Sequence, residues 1–144
     1  MATANDLDRC VVKAIKEERK RVKRMRQAHP KVKHRITDYA AVVVACGYTR
    51  SGTTFSGHSA SPIGLDYTAG IKSRLNALAP IGEKRNGCEN IVGACAEPHA
   101  ANKVMSPFPV CKFEELQLSV AYRPRTARRI KNCQNCKDTF PEVL

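Results

Sequence analysis

Leu7, Val11, Ile15, Val22 and Met25 recur at spacings that keep one narrow apolar stripe, so the pattern predicts an amphipathic helix over Asp6 to Ala28. Asn5 or Asp6 stands where a cap belongs, and Pro30 limits the other end. The pattern then changes. Ala40-Ala41-Val42-Val43-Val44-Ala45-Cys46 is apolar throughout and β-branched at its centre, which predicts a buried strand over Thr37 to Cys46. Gly47 to Gly52 supplies a turn, and Thr53-Thr54-Phe55-Ser56 returns as a second strand of a hairpin. Pro62 and Gly64 mark a loop. Ile71, Leu75 and Leu78 share one side of a helix over Asp66 to Leu78, and Pro80 to Asn90 is a linker suited to a pocket rim. A further helix over Cys95 to Met105 buries Ala96, Ala100, Ala101 and Val104 and is broken by Pro107 and Pro109. Leu116, Leu118, Val120 and Tyr122 alternate, the period of a half-buried strand over Glu115 to Tyr122.

With 144 residues, this is one domain's worth of chain: a basic helical segment over 1–35 and a core over 36–144. Its longest strongly apolar run is far too short to cross a bilayer, and Met1 to Arg9 lacks a signal peptide's apolar segment. The expectation is a soluble chain acting in a cytoplasmic or nuclear compartment. Export signals of any longer secreted precursor would lie outside these residues. The seven cysteines are an odd number in a chain with a sizeable core, which argues for thiols in a reducing setting over a disulfide framework.

Charge changes the picture most. The formal net charge is +12, and twelve of the 25 basic residues precede Ile36. Like charges three and four apart on a helix repel by a few tenths of a kcal/mol per pair, so such a run favours an anionic partner. Nucleic acid ranks ahead of a membrane surface, because no amphipathic segment carries bulky apolar anchors. A localisation signal, a docking surface for an acidic inhibitor and a solvated helix face are the rival readings. A second cluster, Arg123, Arg125, Arg128, Arg129 and Lys131, leads straight into Cys133 and is suited to holding phosphates.

Two short pieces carry the candidate chemistry: Cys95-Ala96-Glu97 and Cys133-Gln134-Asn135-Cys136. Three thiolates can hold one zinc ion and leave its fourth tetrahedral position open, which separates a catalytic site from a closed structural one. Pro98 fits only a helix's first turn, so Cys95 and Glu97 are placed at a helix start. If Cys133 opens a helix of its own, Cys136 shares a face with it. A carboxylate beside such a metal can take a proton from water and return it to a leaving group.

This grammar, Cys-x-Glu followed by Cys-x-x-Cys, resembles that of the zinc-dependent nucleobase (cytidine) deaminases. Gly93-Ala94-Cys95-Ala96-Glu97-Pro98 with the late Cys133 and Cys136 looks most like the YwqJ-related deaminases, many of which are toxin domains. The resemblance implies a three-layer α/β/α sandwich with a small mixed sheet of three to four strands. It implies Zn2+ on Cys95, Cys133 and Cys136, with Glu97 as proton shuttle in hydrolytic deamination of a nucleobase. Cytosine in DNA or RNA, single-stranded or flipped out, is the first choice; adenine stays open. His58 and Ser59 are placed near the substrate, though plain loop roles suit them equally, and Arg125, Arg128 and Arg129 are candidates for its phosphates. An acidic inhibitor or immunity protein is a further implied partner. His99 is a candidate for contact with the ligands or the substrate, though a surface helix position suits it better. Two departures from the family pattern stand out: Asn132 where proline is usual before the Cys pair, and Cys95 where better-known members carry histidine.

Other classes remain open. Glu97 could merely favour a helix start in a non-catalytic, zinc-stabilised nucleic-acid-binding module. The chain could also be a deaminase of free nucleosides or nucleotides, and a lone C-x-x-C can be a redox pair.

Overall fold

The computed structural model describes residues 3–144. Helix α1 runs over Ala4–Ala28, and Thr3 caps it: its hydroxyl accepts from the Asp6 amide while the Asp6 carboxylate accepts from the Thr3 amide. Asp6 is thus the returning half of a capping box and not the cap itself. The stripe does what its spacing requires. Leu7, Val11 and Ile15 bury against Val43 and Ala45, with Cys10 and Tyr122 at the margin.

Strand β1 (Val43–Tyr48) is buried along its whole length because both of its faces are covered. Val43 and Ala45 meet α1, and Val44, Cys46 and Tyr48 face the larger core beneath helix α3 (Ala96–Met105). Strand β2 (Thr54–His58) closes the hairpin in antiparallel register, with Val43 opposite His58 and Cys46 opposite Phe55. On the other edge of β1 lie β3 (Leu116–Leu118) and β4 (Ala121–Tyr122), and β5 (Arg129–Ile130) extends the sheet beyond β4. Helices α2 (Ala69–Leu78) and α4 (Gln134–Thr139) pack together at the margin of the α3 layer. The result is an α/β sandwich with the basic helix as one outer layer. Every pairing among the described residues is antiparallel, so the expected mixed sheet narrows to an antiparallel one, with five short strands in place of three or four.

Side chains that capture backbone groups explain where the elements depart from the periodicity. Ala40 to Val42 is apolar enough for strand, yet the Ala40 amide donates to Glu18 Oε2 and the Val42 amide to Ser59 Oγ, and pairing begins only at Val43. The long strand expected over Glu115 to Tyr122 is split at Ser119 and Val120, because Ser119 Oγ accepts the Ala45 amide at 2.8 Å in place of a ladder carbonyl. Helix α2 starts at Ala69, not Asp66, because the Asn102 side chain takes the Thr68 amide and donates to the Asp66 carbonyl. β2 runs on to His58, so Gly57 and His58 are strand residues and only Ser59 follows the strand.

Candidate metal centre

The turn before α3 sets up the site. Gly93 has φ 87°, and a Cβ there would meet Ile81 Cγ2 at 3.0 Å and Pro62 Cβ at 3.2 Å, so only glycine fits. Its carbonyl accepts the Tyr67 hydroxyl at 2.5 Å and is 3.1 Å from His99 Nε2, which fixes the chain's direction into the helix. His99 is therefore half-buried beside Tyr67 and not a free surface position; burial pushes its imidazole below the usual range. Cys95 is the N-cap of α3, and Ala96, Glu97 and Pro98 form its first turn. Cys133 is the N-cap of α4, with Cys136 in its first turn. Both helix starts are those the sequence placed.

The two ends meet. Cys95 Sγ lies 3.1 Å from Cys133 Sγ, Cys133 Sγ lies 3.5 Å from Cys136 Sγ, and all three sulfurs fall within 4.8 Å of one another. Among the described residues this is the one cluster of three or more His, Cys, Asp or Glu side chains that could hold a metal ion. As thiols, the three share protons. The contacts favour a thiolate on Cys133 and hold the protons on Cys95 and Cys136. Three thiolates at these distances repel, so full deprotonation needs a cation among them.

Glu97 is 3 % exposed. Its Oε2 accepts from Cys136 Sγ at 2.6 Å, and its Oε1 accepts from the Asn132 side-chain amide at 3.3 Å. Burial pushes this carboxyl above the ordinary range, with the Cys136 hydrogen bond opposing. Asn132, notable in the sequence only for not being proline, thus holds one oxygen of the one carboxylate at the sulfur cluster. Arg85 braces the other side, donating to Asn135 Oδ1 and pairing with Asp138, while Asn135 donates to the Asn90 carbonyl.

A cavity of about 500 Å³ opens beside this cluster, within the range of small-molecule sites. Cys95, Cys133 and Glu97 line it; Cys136 lies behind them, buried. Lys84, Glu89 and Asn90 supply part of its wall, as expected of a linker at a pocket rim, and Arg123 and Lys131 supply two further cations. Of the five residues proposed for substrate contact, Ser59 lines this cavity, while His58 and Arg125 line an adjoining one. Arg128 and Arg129 are exposed on the β4–β5 hairpin and line neither. No protein-family model, curated protein or solved structure matches the chain.

Proposed function

We propose that this chain is a zinc-dependent hydrolase that deaminates a nucleobase, with cytosine in single-stranded DNA or RNA as first choice. The observation that carries the reading is Glu97: a carboxylate buried at a helix start, in contact with a three-sulfur cluster, beside a cavity large enough for a base. The donor set suits zinc, since thiolates bind at about 2.3 Å and three of them leave a tetrahedral ion one open position. Sulfurs 3.1 and 3.5 Å apart need little adjustment to share one such ion.

Zinc, when bound, supplies Lewis-acid charge that makes water acidic near neutral pH. The rest falls to the chain. Asn132 fixes Glu97 Oε1, which leaves Oε2, the oxygen facing the sulfurs, to move the proton. Oε2 takes a proton from the attacking water as its oxygen bonds to the amine-bearing carbon. Oε2 gives that proton to the neighbouring ring nitrogen and then carries the remaining hydroxyl proton to the amino nitrogen; the C–N bond breaks, and ammonia leaves with the ring carbon as a carbonyl. Burial at the helix start, with Asn132 on one oxygen, holds the Glu97 carboxylate in one place for both halves of this cycle. Arg123 and Lys131 favour a substrate with phosphates, and the cationic face of α1 favours a polymer or an acidic inhibitor over a free nucleoside.

The test is a sequencing or mass-spectrometric readout of cytosine-to-uracil and adenine-to-inosine conversion in single- and double-stranded DNA and RNA. The intact protein is compared with Glu97→Gln, alongside zinc analysis of both. Conversion lost in Glu97→Gln with zinc retained supports the shuttle role. A folded, zinc-loaded wild type that converts no polymer or nucleoside sinks it and favours a zinc-stabilised binding module.

A further inference from the structure

A second and larger cavity, of about 590 Å³, adjoins the first. It lies between α1, the segment from Ile36 to Ala41, and the turn joining β4 to β5. The two cavities share Ala41, Ser59 and Arg123 in their linings, so a ligand can pass from one to the other without leaving the surface. Its volume alone would hold a nucleotide.

Its charges are arranged for an anion at the junction. Two carboxylates face it, Glu18 and Asp38, and both are already committed. Glu18 accepts from Arg21 and from the Ala40 amide, and Asp38 accepts from Arg26 and from the Arg35 amide. Arg123 and Arg125 face the same space, and no carboxylate pairs with either among the described residues. Their turn is held in place. The Arg123 amide donates to the Arg128 carbonyl at 2.8 Å, and Arg19 of α1 donates to the Pro124 carbonyl at 2.8 Å and the Arg125 carbonyl at 3.4 Å. A basic helix residue thus spends its charge on fixing the loop that carries the free ones.

Resting on the deaminase reading, we infer that this second cavity is a nucleotide subsite. It takes the nucleotide adjoining the target base on a single strand, and Arg123 at the shared wall holds the phosphate between the two. Exposed Ile36 and the half-buried Tyr39 give the adjoining base an apolar wall. The minimal ligand is then a dinucleotide.

The test measures binding, not turnover. Zinc-loaded Glu97→Gln protein is bound to a fluorescein-labelled single-stranded oligonucleotide and competed with deoxycytidine and with dinucleoside monophosphates carrying cytosine at either end. At least one dinucleotide competes at least roughly tenfold better than the nucleoside, the size of one charge-assisted hydrogen bond. Arg123→Ala in the same background removes most of that advantage and lowers the salt slope of oligonucleotide binding by about 0.7, the share of one phosphate on a single strand. Thr37→Glu, at an exposed position lining only the second cavity, lowers dinucleotide binding and leaves nucleoside binding alone. Dinucleotides that compete no better than the nucleoside, or an advantage that survives both substitutions in folded protein, overturn the subsite. Cytosine conversion by wild type without a dinucleotide advantage removes the subsite and leaves the deaminase reading standing. A dinucleotide advantage without conversion removes that reading and keeps the two-nucleotide cleft.

Discussion

Gly57 is the point at which a single methyl group tests how the site is seated. A Cβ on Gly57 would lie 2.4 Å from the Ala100 backbone nitrogen and 2.8 Å from both Ala100 Cα and the Ala96 carbonyl oxygen. All three are main-chain atoms of α3, so no side chain can swing away. Ordinary contact begins near 3.4 Å, and α3 has to lift from β2 by about 1 Å to admit the methyl. Overpacking of this kind costs about 1–3 kcal/mol. In a domain of this size each kcal/mol is worth about 2–4 °C, so Gly57→Ala should lower Tm by roughly 2–12 °C. The displacement also reaches the chemistry, because Cys95 and Glu97 travel with α3 while Cys133 and Cys136 stay on α4. Shifts of about 1 Å in a catalytic group cost on the order of 100-fold in rate, and zinc affinity should fall with turnover.

Thermal melting, zinc titration and the base-conversion assay on Gly57→Ala check this together. The double variant Gly57→Ala, Ala100→Gly supplies the control. Because the clash is with backbone, removing the Ala100 methyl should not rescue, and the helical glycine should add about 1 kcal/mol of further loss. A Gly57→Ala protein with wild-type melting and zinc binding, or rescue by Ala100→Gly, refutes the close seating of α3 on β2.

Metal removal and acid give the remaining tests. A chelator should lower the wild-type Tm by about 5–11 °C if zinc is present at roughly 100 times its dissociation constant, worth about 2.7 kcal/mol. Cys136→Ala should already lack zinc, so its melting should not respond to chelator; a persisting response would place the metal elsewhere. For Glu18, burial opposes ionisation, but the Arg21 and Ala40 hydrogen bonds win and hold its carboxyl below its ordinary value of 4.5. A depressed folded-state pKa means the stabilisation is complete above pH 4.5 and is lost as pH falls through the folded value. Wild type should therefore lose stability more steeply than Glu18→Gln below pH 4.5, and parallel acid melting curves would refute the assignment.

The sequence made legible whatever local spacing controls. The apolar stripe of α1, the first-turn proline at Pro98 and the three-residue gap between Cys133 and Cys136 each constrain a helix, and each helix forms. Strand limits were harder because distant side chains set them: Glu18 and Ser59 hold Ala40 and Val42 out of the sheet, and Ser59 lies 17 residues from the amide it accepts. The Arg129–Ile130 strand was hidden inside a charge run whose density pointed to phosphates and to an anionic metal shell, not to a strand. Asn132 gave no signal of its own, since a residue is recognised as a carboxylate's partner only once two helix starts converge. The second cavity was equally invisible, being built from α1, the Ile36–Ala41 segment and a hairpin far apart in the chain.

That cavity also reframes the basic helix. A run of like charges argues for a polyanion only to the extent that the protein does not neutralise it internally. Arg9 pairs with Asp6, Lys13 with Glu17, Arg21 with Glu18 and Arg26 with Asp38, and Arg19 is spent on two carbonyls. The exposed Arg9–Asp6 and Lys13–Glu17 pairs contribute about 0–1 kcal/mol each, and with the part-buried Arg21–Glu18 and Arg26–Asp38 pairs they offset the helix's self-repulsion of a few tenths per pair without external help. The helix therefore needs no ligand in order to fold. The cations that still call for an anionic partner are fewer and better placed. Lys16, Lys20, Lys23 and Arg24 lie exposed along α1, and Arg123 and Lys131 line the cavity beside the sulfurs and a carboxylate, where Lys84 is already paired with Glu89. The second group matters more to the chemistry. A dication held by three thiolates leaves one net negative charge, Glu97 adds another when ionised, and both would repel an incoming phosphate. On the deaminase reading, the cations in the cavity wall offset that local field, serving as a counterweight to the sulfur shell and a guide for the proposed substrate.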